Sequence, residues 1–335
     1  MTKFYTKVIT PLIALFALAS SDALAGSWTE EREYAGELDT FLYVPTTAPR
    51  IGSGRALMIS LHGCVQRNDT IRESGNWEAV ADEYGMVVAA PQASGEGSFG
   101  FLGCWNFHDG PRATRAESDQ AYLIALVEEL LADESLNIDP AQVYLTGLSS
   151  GGGIANQLWC MAPEIFAGVG VSAAPTPGSK GDKADLGSPS VTVEQGKQHC
   201  LNYAGQLEGE ALSGLLSTQL WNAVHGSEDG IVVPAHTERS AKIARAVYGD
   251  FAEIDECNGR PPANPEKAKV AQWCDAKGPR ISTMQVQGMG HAWPAGDGVE
   301  GFFVDGEHVN YPAWITEWFF ANNRRVQRES ATSTQ

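Results

Sequence analysis

Basic residues are scarce: 23 Lys and Arg stand against 41 Asp and Glu, leaving a formal net charge of −18. Such a field repels nucleic acid and anionic lipid, so no nucleic-acid or membrane partner is expected and a neutral substrate is favoured. After residue 25 no apolar run is long enough to cross a bilayer as a helix. No segment repeats, which excludes solenoids and propellers. Cysteines number six, and none has the short paired spacing of a zinc site, so neither metal nor cofactor is expected.

What is present begins with a leader. Lys3 and Lys7 precede an apolar stretch from Val8 to Ala19, and Ala23-Leu24-Ala25 follows. A short apolar core ending in an A-x-A site is the pattern of a secretory signal peptide, so residues 1–25 are expected to be removed and the protein to be secreted. Residues 26–324 then suffice for one large domain, with 325–335 expected as a disordered tail. In an exported chain the even set Cys64, Cys104, Cys160, Cys200, Cys257 and Cys274 favours disulfides, although spacing fixes no pairing. The local pair expected is Cys257 with Cys274, which would close a Pro- and Asn-rich loop.

Strand and helix signals alternate. Residues 37–44 read as an early strand, and the apolar runs 56–61 and 86–90 suit strands covered on both faces. Further strands are expected at 142–145, 166–172, 219–224 and 281–286, and helices at 77–84, 117–132, 154–161, 236–248 and 312–321. This order predicts an α/β protein with a mainly parallel, doubly wound sheet in a single domain. The polar stretch from Pro175 to about Gln198 is expected as an irregular excursion over the active-site face.

Gly147-Leu148-Ser149-Ser150-Gly151 lies between a strand and a helix and reads as a nucleophile elbow. With 36 glycines in the chain the pentapeptide could arise by chance, so its context decides. A serine hydroxyl needs a base to take its proton and an acid to orient that base. Asp229 and His291 follow later strands in the order such enzymes use, which makes Ser149 the candidate nucleophile, Asp229 the acid and His291 the base. Glu228 rivals Asp229, whereas Asp182 and Asp185 would break the strand-end rule. His108, His199, His236 and His308 read as surface residues, and His62 and His225 as shaping turns before glycine. The oxyanion site is expected from the backbone N–H groups of Ser150 and, after the first buried strand, Cys64.

Five segments carry a resemblance: Leu61-His62-Gly63-Cys64-Val65-Gln66, Gly103-Cys104-Trp105-Asn106-Phe107, the elbow with Gly152, His225-Gly226-Ser227-Glu228-Asp229 and Gly290-His291-Ala292-Trp293-Pro294. Together they are similar to secreted polyhydroxybutyrate depolymerases and the related feruloyl and acetylxylan esterases, whose fold is that of the α/β-hydrolases. The resemblance implies the same roles for Ser149, Asp229, His291, Cys64 and Ser150. It also implies a Cys64–Cys104 disulfide and a Trp105 whose indole N–H reaches a substrate carbonyl, beside an apolar wall of Phe99, Phe101 and Phe107. The expected substrate is a neutral polyester or its oligomers. Feruloylated or acetylated plant polysaccharide is the alternative, a non-catalytic secreted binding protein of hydrolase fold another, and a peptidase a third. Linker and polymer-binding modules seen after many such depolymerases are not expected beyond the last helix, and the oligomeric state is not indicated.

Overall fold

The computed structural model describes residues 25–97, 99–107, 113–207, 215–258, 262 and 265–326. Residues 1–24 of the expected leader, His108 and residues 327–335 of the expected tail therefore lie outside the described residues.

Its eleven-stranded sheet comprises β1 (Ser27–Trp28), β2 (Arg32–Tyr34), β3 (Leu38–Val44), β4 (Arg55–Leu61), β5 (Val87–Pro91), β6 (Ile138–Leu148), β7 (Gly168–Ser172), β8 (Leu220–Gly226), β9 (Asp255–Glu256), β10 (Ala268–Asp275) and β11 (Gly278–Val286). The order is β1-β3-β5-β4-β6-β7-β8-β11-β10-β9, with β2 paired to β3. From β5 to β11 every neighbour runs parallel, and the outer strands turn antiparallel. This is the α/β-hydrolase architecture expected.

The parallel strands form because their side chains are apolar on both faces and helices cover both. In β4, Leu57, Ile59 and Leu61 enter one core while Ala56 and Met58 enter the other. Helices α3 (Ser118–Ala132), α4 (Ser150–Met161), α6 (Val193–Ala204) and α7 (Ala235–Tyr248) cover the first face. Helices α1 (Asn68–Ser74), α2 (Glu78–Tyr84) and α8 (Tyr311–Asn322) cover the second, where Trp314, Ile315, Trp318 and Phe319 are all buried.

Three expectations are corrected. The stretch from Pro175 onward is not irregular: it holds α5 (Lys183–Gly187) and the start of α6. Asp182 caps α5 by accepting from the Ala184 and Asp185 N–H groups, and Thr192 forms a capping box with Gln195 at α6. The elbow strand expected at 142–145 begins earlier, at Ile138, and takes in Asp139-Pro140, where the register with β4 shifts. Arg325, assigned to the tail, is tied down, donating to Thr218 Oγ1 at 3.1 Å and to the Pro163 carbonyl at 2.6 Å.

Disulfides join Cys64 to Cys104, Cys160 to Cys200 and Cys257 to Cys274. The second fastens α6, and with it the excursion, to α4 across a sequence separation of 40. The loop leaving β4 is pinned by His62, which is fully buried. Its Nδ1–H donates to the Gly63 carbonyl at 2.8 Å and its Nε2 accepts from the Ala93 N–H at 3.1 Å. Acceptance at Nε2 requires the neutral ring, and burial holds the imidazole down at about 4.

Two outcomes are expected. Replacing Cys160 and Cys200 together by Ala should lower the unfolding free energy by about 3 to 4 kcal/mol, read by denaturant titration. Between pH 6.5 and about 4 the unfolded chain binds a proton at His62 that the folded chain refuses, so stability falls as pH is lowered through that window. The loss at His62 is at most about 3 kcal/mol, and His62→Gln should flatten the fall; an unaltered pH profile in that variant would show the source to be elsewhere.

Candidate active site

The end of β6 runs straight into α4, and Ser149 sits at the junction with φ 55° and ψ −114°. A non-glycine residue there carries backbone strain of roughly 1–3 kcal/mol and persists only where the surroundings hold it. They do so by contact. A Cβ on Gly147 would lie 2.4 Å from the Gly151 carbonyl carbon, and one on Gly151 would lie 2.5 Å from the His62 carbonyl oxygen. No larger residue fits at either position, which explains the G-x-S-x-G pattern. The Ser149 N–H donates to the Ser172 carbonyl at 2.9 Å, fixing the turn against β7.

Opposite the elbow lies the loop 62–66. Gly63 N–H donates to Gln66 Oε1 at 2.7 Å, and Gln66 Nε2 reaches the Phe302 carbonyl at 2.6 Å. The Cys64–Cys104 bond ties this loop to residues 103–107. Among the described residues no protein acceptor takes the Cys64 N–H, and Ser150, as the first residue of α4, has an N–H with no partner in the helix. Both groups are thus available to an oxyanion.

Trp105 corrects the expected substrate contact. It is fully buried, and its indole N–H donates to the His62 carbonyl at 3.0 Å, so it supports the loop from beneath and cannot reach a substrate. Its own backbone N–H lies 3.4 Å from Ser150 Oγ.

Asp229 follows β8 and is buried, whereas its rival Glu228 is exposed. One carboxylate oxygen accepts from the Ile231 and Val232 N–H groups at 2.9 and 3.0 Å. The other accepts from His291 Nδ1 at 2.7 Å and lies 3.1 Å from His225 Nε2. Burial pushes this carboxyl up, but the hydrogen bonds from His225 and His291 outweigh it and hold it well below the usual range. Because Nδ1 of His291 is the donor, its Nε2 keeps the lone pair a base needs.

The structure brings Asp229 and His291 into direct contact. It shows no hydrogen bond between His291 and Ser149 Oγ among the described residues. The two are linked through Ser172, whose carbonyl receives the Ser149 N–H and whose hydroxyl donates to the Ala292 carbonyl at 3.1 Å. A cleft of about 520 Å³ opens above Ser149 and Ser150, with Phe99, Leu102 and Phe107 on one side and Leu186, Ile231 and Val232 on the other.

Two histidines depart from the sequence expectation. His225 is more than a turn former: it is buried and hydrogen-bonds Asp229, the Val232 carbonyl at 2.7 Å and the Thr237 hydroxyl at 2.8 Å. The H-G-S-E-D spacing, with a histidine four residues before the acid, was the available signal. His236 is not on the surface; it is fully buried, donating to the Asp185 carbonyl at 2.8 Å and accepting from the Thr176 N–H at 3.0 Å. His199 and His308 are half-buried.

Residues 38–181 match the family described as Esterase PHB depolymerase. The poly(3-hydroxybutyrate) depolymerase of Ralstonia pickettii is 33% identical over 94% of this chain and 65% of its own length. The poly(3-hydroxyalkanoate) depolymerase C of Paucimonas lemoignei is 28% identical over 78% and 60%. The chain thus spans less than two thirds of either relative. Feruloyl esterase B of Neurospora crassa is 27% identical over 62% of this chain and 70% of its own. Among solved structures, the acetyl xylan esterase of Aspergillus awamori superposes with a TM-score of 0.59 at 17% identity, covering 80% of this chain and 94% of that one. With the elbow, the histidine-bound acid and the parallel sheet, these likenesses make the chain, of α/β-hydrolase fold, similar to the polyhydroxybutyrate depolymerases and feruloyl esterases.

Proposed function

We propose that this protein is a secreted serine esterase that hydrolyses ester bonds of polyhydroxyalkanoate-type polyester or its oligomers through an acyl-enzyme. His291 Nε2 takes the proton of the Ser149 hydroxyl as Oγ attacks the ester carbonyl, and the buried Asp229 carboxylate holds the imidazole and stabilises its cation. The N–H groups of Cys64 and Ser150 receive the oxyanion. Collapse expels the alcohol end with the proton from His291; water then enters by the same route, and the acid leaves. Support comes from the Asp229–His291 contact of 2.7 Å beside the strained elbow serine. Three disulfides support an oxidising compartment.

One observation favours polyester over feruloylated or acetylated polysaccharide. The exposed large apolar side chains among the described residues are Val65, Phe101, Leu102, Ile231 and Phe302. Leu102 and Ile231 line the cleft, Phe101 adjoins Leu102 in the turn 100–102, Val65 N–H bonds the Leu102 carbonyl, and Phe302 is held by Gln66. An apolar rim suits contact with an apolar solid, whereas a sugar chain calls for hydrogen-bonding groups.

Ser149→Ala should abolish hydrolysis of a p-nitrophenyl short-chain ester by roughly a thousandfold or more with the fold intact; retained activity would reject the assignment. Phe101→Ser combined with Phe302→Ser should slow release of acid from a polyester film severalfold relative to the rate on the soluble ester. If methyl ferulate is cleaved and hydroxybutyrate oligomers are not, the polysaccharide reading replaces this one.

A further inference from the structure

Behind the loop that carries Asp229 lies a second groove, of about 380 Å³, between α7 and the strands β10 and β11. On the α7 side of the sheet its lining includes Ala241, Ala271 and Trp273, with Thr283 and Gln285 beside them, while Val270 and Met284 border it from strands whose side chains there turn to the opposite core. Its sides are basic. Lys242, Arg245 and Lys269 line it with Glu238 as the one acid, in a chain whose net charge is −18. The Arg245 guanidinium lies 5.5 Å from the centre of the Trp273 ring, and neither Lys242 nor Lys269 has an ion-pair or hydrogen-bond partner among the described residues. At the inner end stand Thr237 and His225, the latter in contact with Asp229.

Three cations lining one groove beside an indole ring describe a ligand with one anionic end and a short apolar body. We propose that this groove binds a carboxylate-terminated oligoester, its carboxylate between Lys242, Lys269 and Arg245 and its alkyl ester units against Trp273 and Ala271. The identity of the ligand rests on the function proposed above, since each ester cleaved by water yields one alcohol end and one acid end of that kind. The groove would then retain a released chain, or the acid end of a longer one, beside the active site.

The test uses the full chain carrying Ser149→Ala, titrated calorimetrically with the linear 3-hydroxybutyrate trimer as free acid, with its methyl ester and with inorganic phosphate. The acid should bind, with the methyl ester at least tenfold weaker and added salt weakening the acid alone. Lys242→Gln with Lys269→Gln in the same background should reduce acid affinity at least tenfold without lowering the melting temperature. Acid affinity unchanged in that double variant would place the ligand in the cleft over residue 149 and overturn the proposal. So would phosphate binding as tightly as the acid, which would make this a general anion patch. The esterase assignment fails separately, by retained hydrolysis in the Ser149→Ala protein.

Discussion

The site depends on one close approach, that of Gly151 to the carbonyl of His62, where a single added carbon would sit 2.5 Å from oxygen. It locks two segments far apart in the chain, the elbow and the loop after β4, so that the N–H groups of Ser150 and Cys64 share one space. Strain of roughly 1–3 kcal/mol at Ser149 is tolerable because the rest of the turn has nowhere else to go. Gly147 touches Gly151, Gly152 approaches Ala174, and Gly153 lies against the Phe107 ring.

Keeping that approach requires the 62–66 loop to be immobile, and the chain invests buried polar groups to do it. The carbonyl of His62 takes the Trp105 indole, its ring spans Gly63 and Ala93, and Gln66 bridges Gly63 to Phe302. Buried polar groups that are all satisfied rigidify, whereas any one left open would cost about 1–3 kcal/mol. The same economy holds at Asp229, where four N–H groups surround one carboxylate. A carboxylate so surrounded stays charged and stays put, which is what orientation of an imidazole demands.

Much of this was legible in the sequence, and the failures share a cause. The parallel strands β4 and β5 show as apolar runs because both faces are covered. The antiparallel β10 does not, since its residues Ala268 to Asp275 are mostly half-buried and mix lysine with valine and tryptophan. Ser149, Asp229 and His291 could be picked out as chemical types at strand ends, but the contact between Asp229 and His291 is a fact of folding across 62 positions. Trp105 and His236 misled because side-chain direction is invisible in sequence: both look like surface polar or aromatic residues and both point inward to a carbonyl. The helices of the excursion were available as capping signals at Asp182 and Thr192, outweighed by the glycine and proline around them.

Two walls of different origin enclose the cleft, and each is fastened covalently near its base. One is the aromatic loop with Phe99, Leu102 and Phe107, held by the Cys64–Cys104 bond. The other is the excursion with Leu186, held through α6 by the Cys160–Cys200 bond and through Asp185 by His236. A cleft pinned on both sides orders little on binding, so less of the interaction energy is lost to side-chain and loop ordering. Under the function proposed above that matters for a repeating apolar chain, which offers few polar handles per unit and must be held by shape. The walls' rigidity and the apolar rim therefore answer the same requirement, selection by fit and contact area in a molecule whose strong negative charge contributes nothing to capturing a neutral substrate.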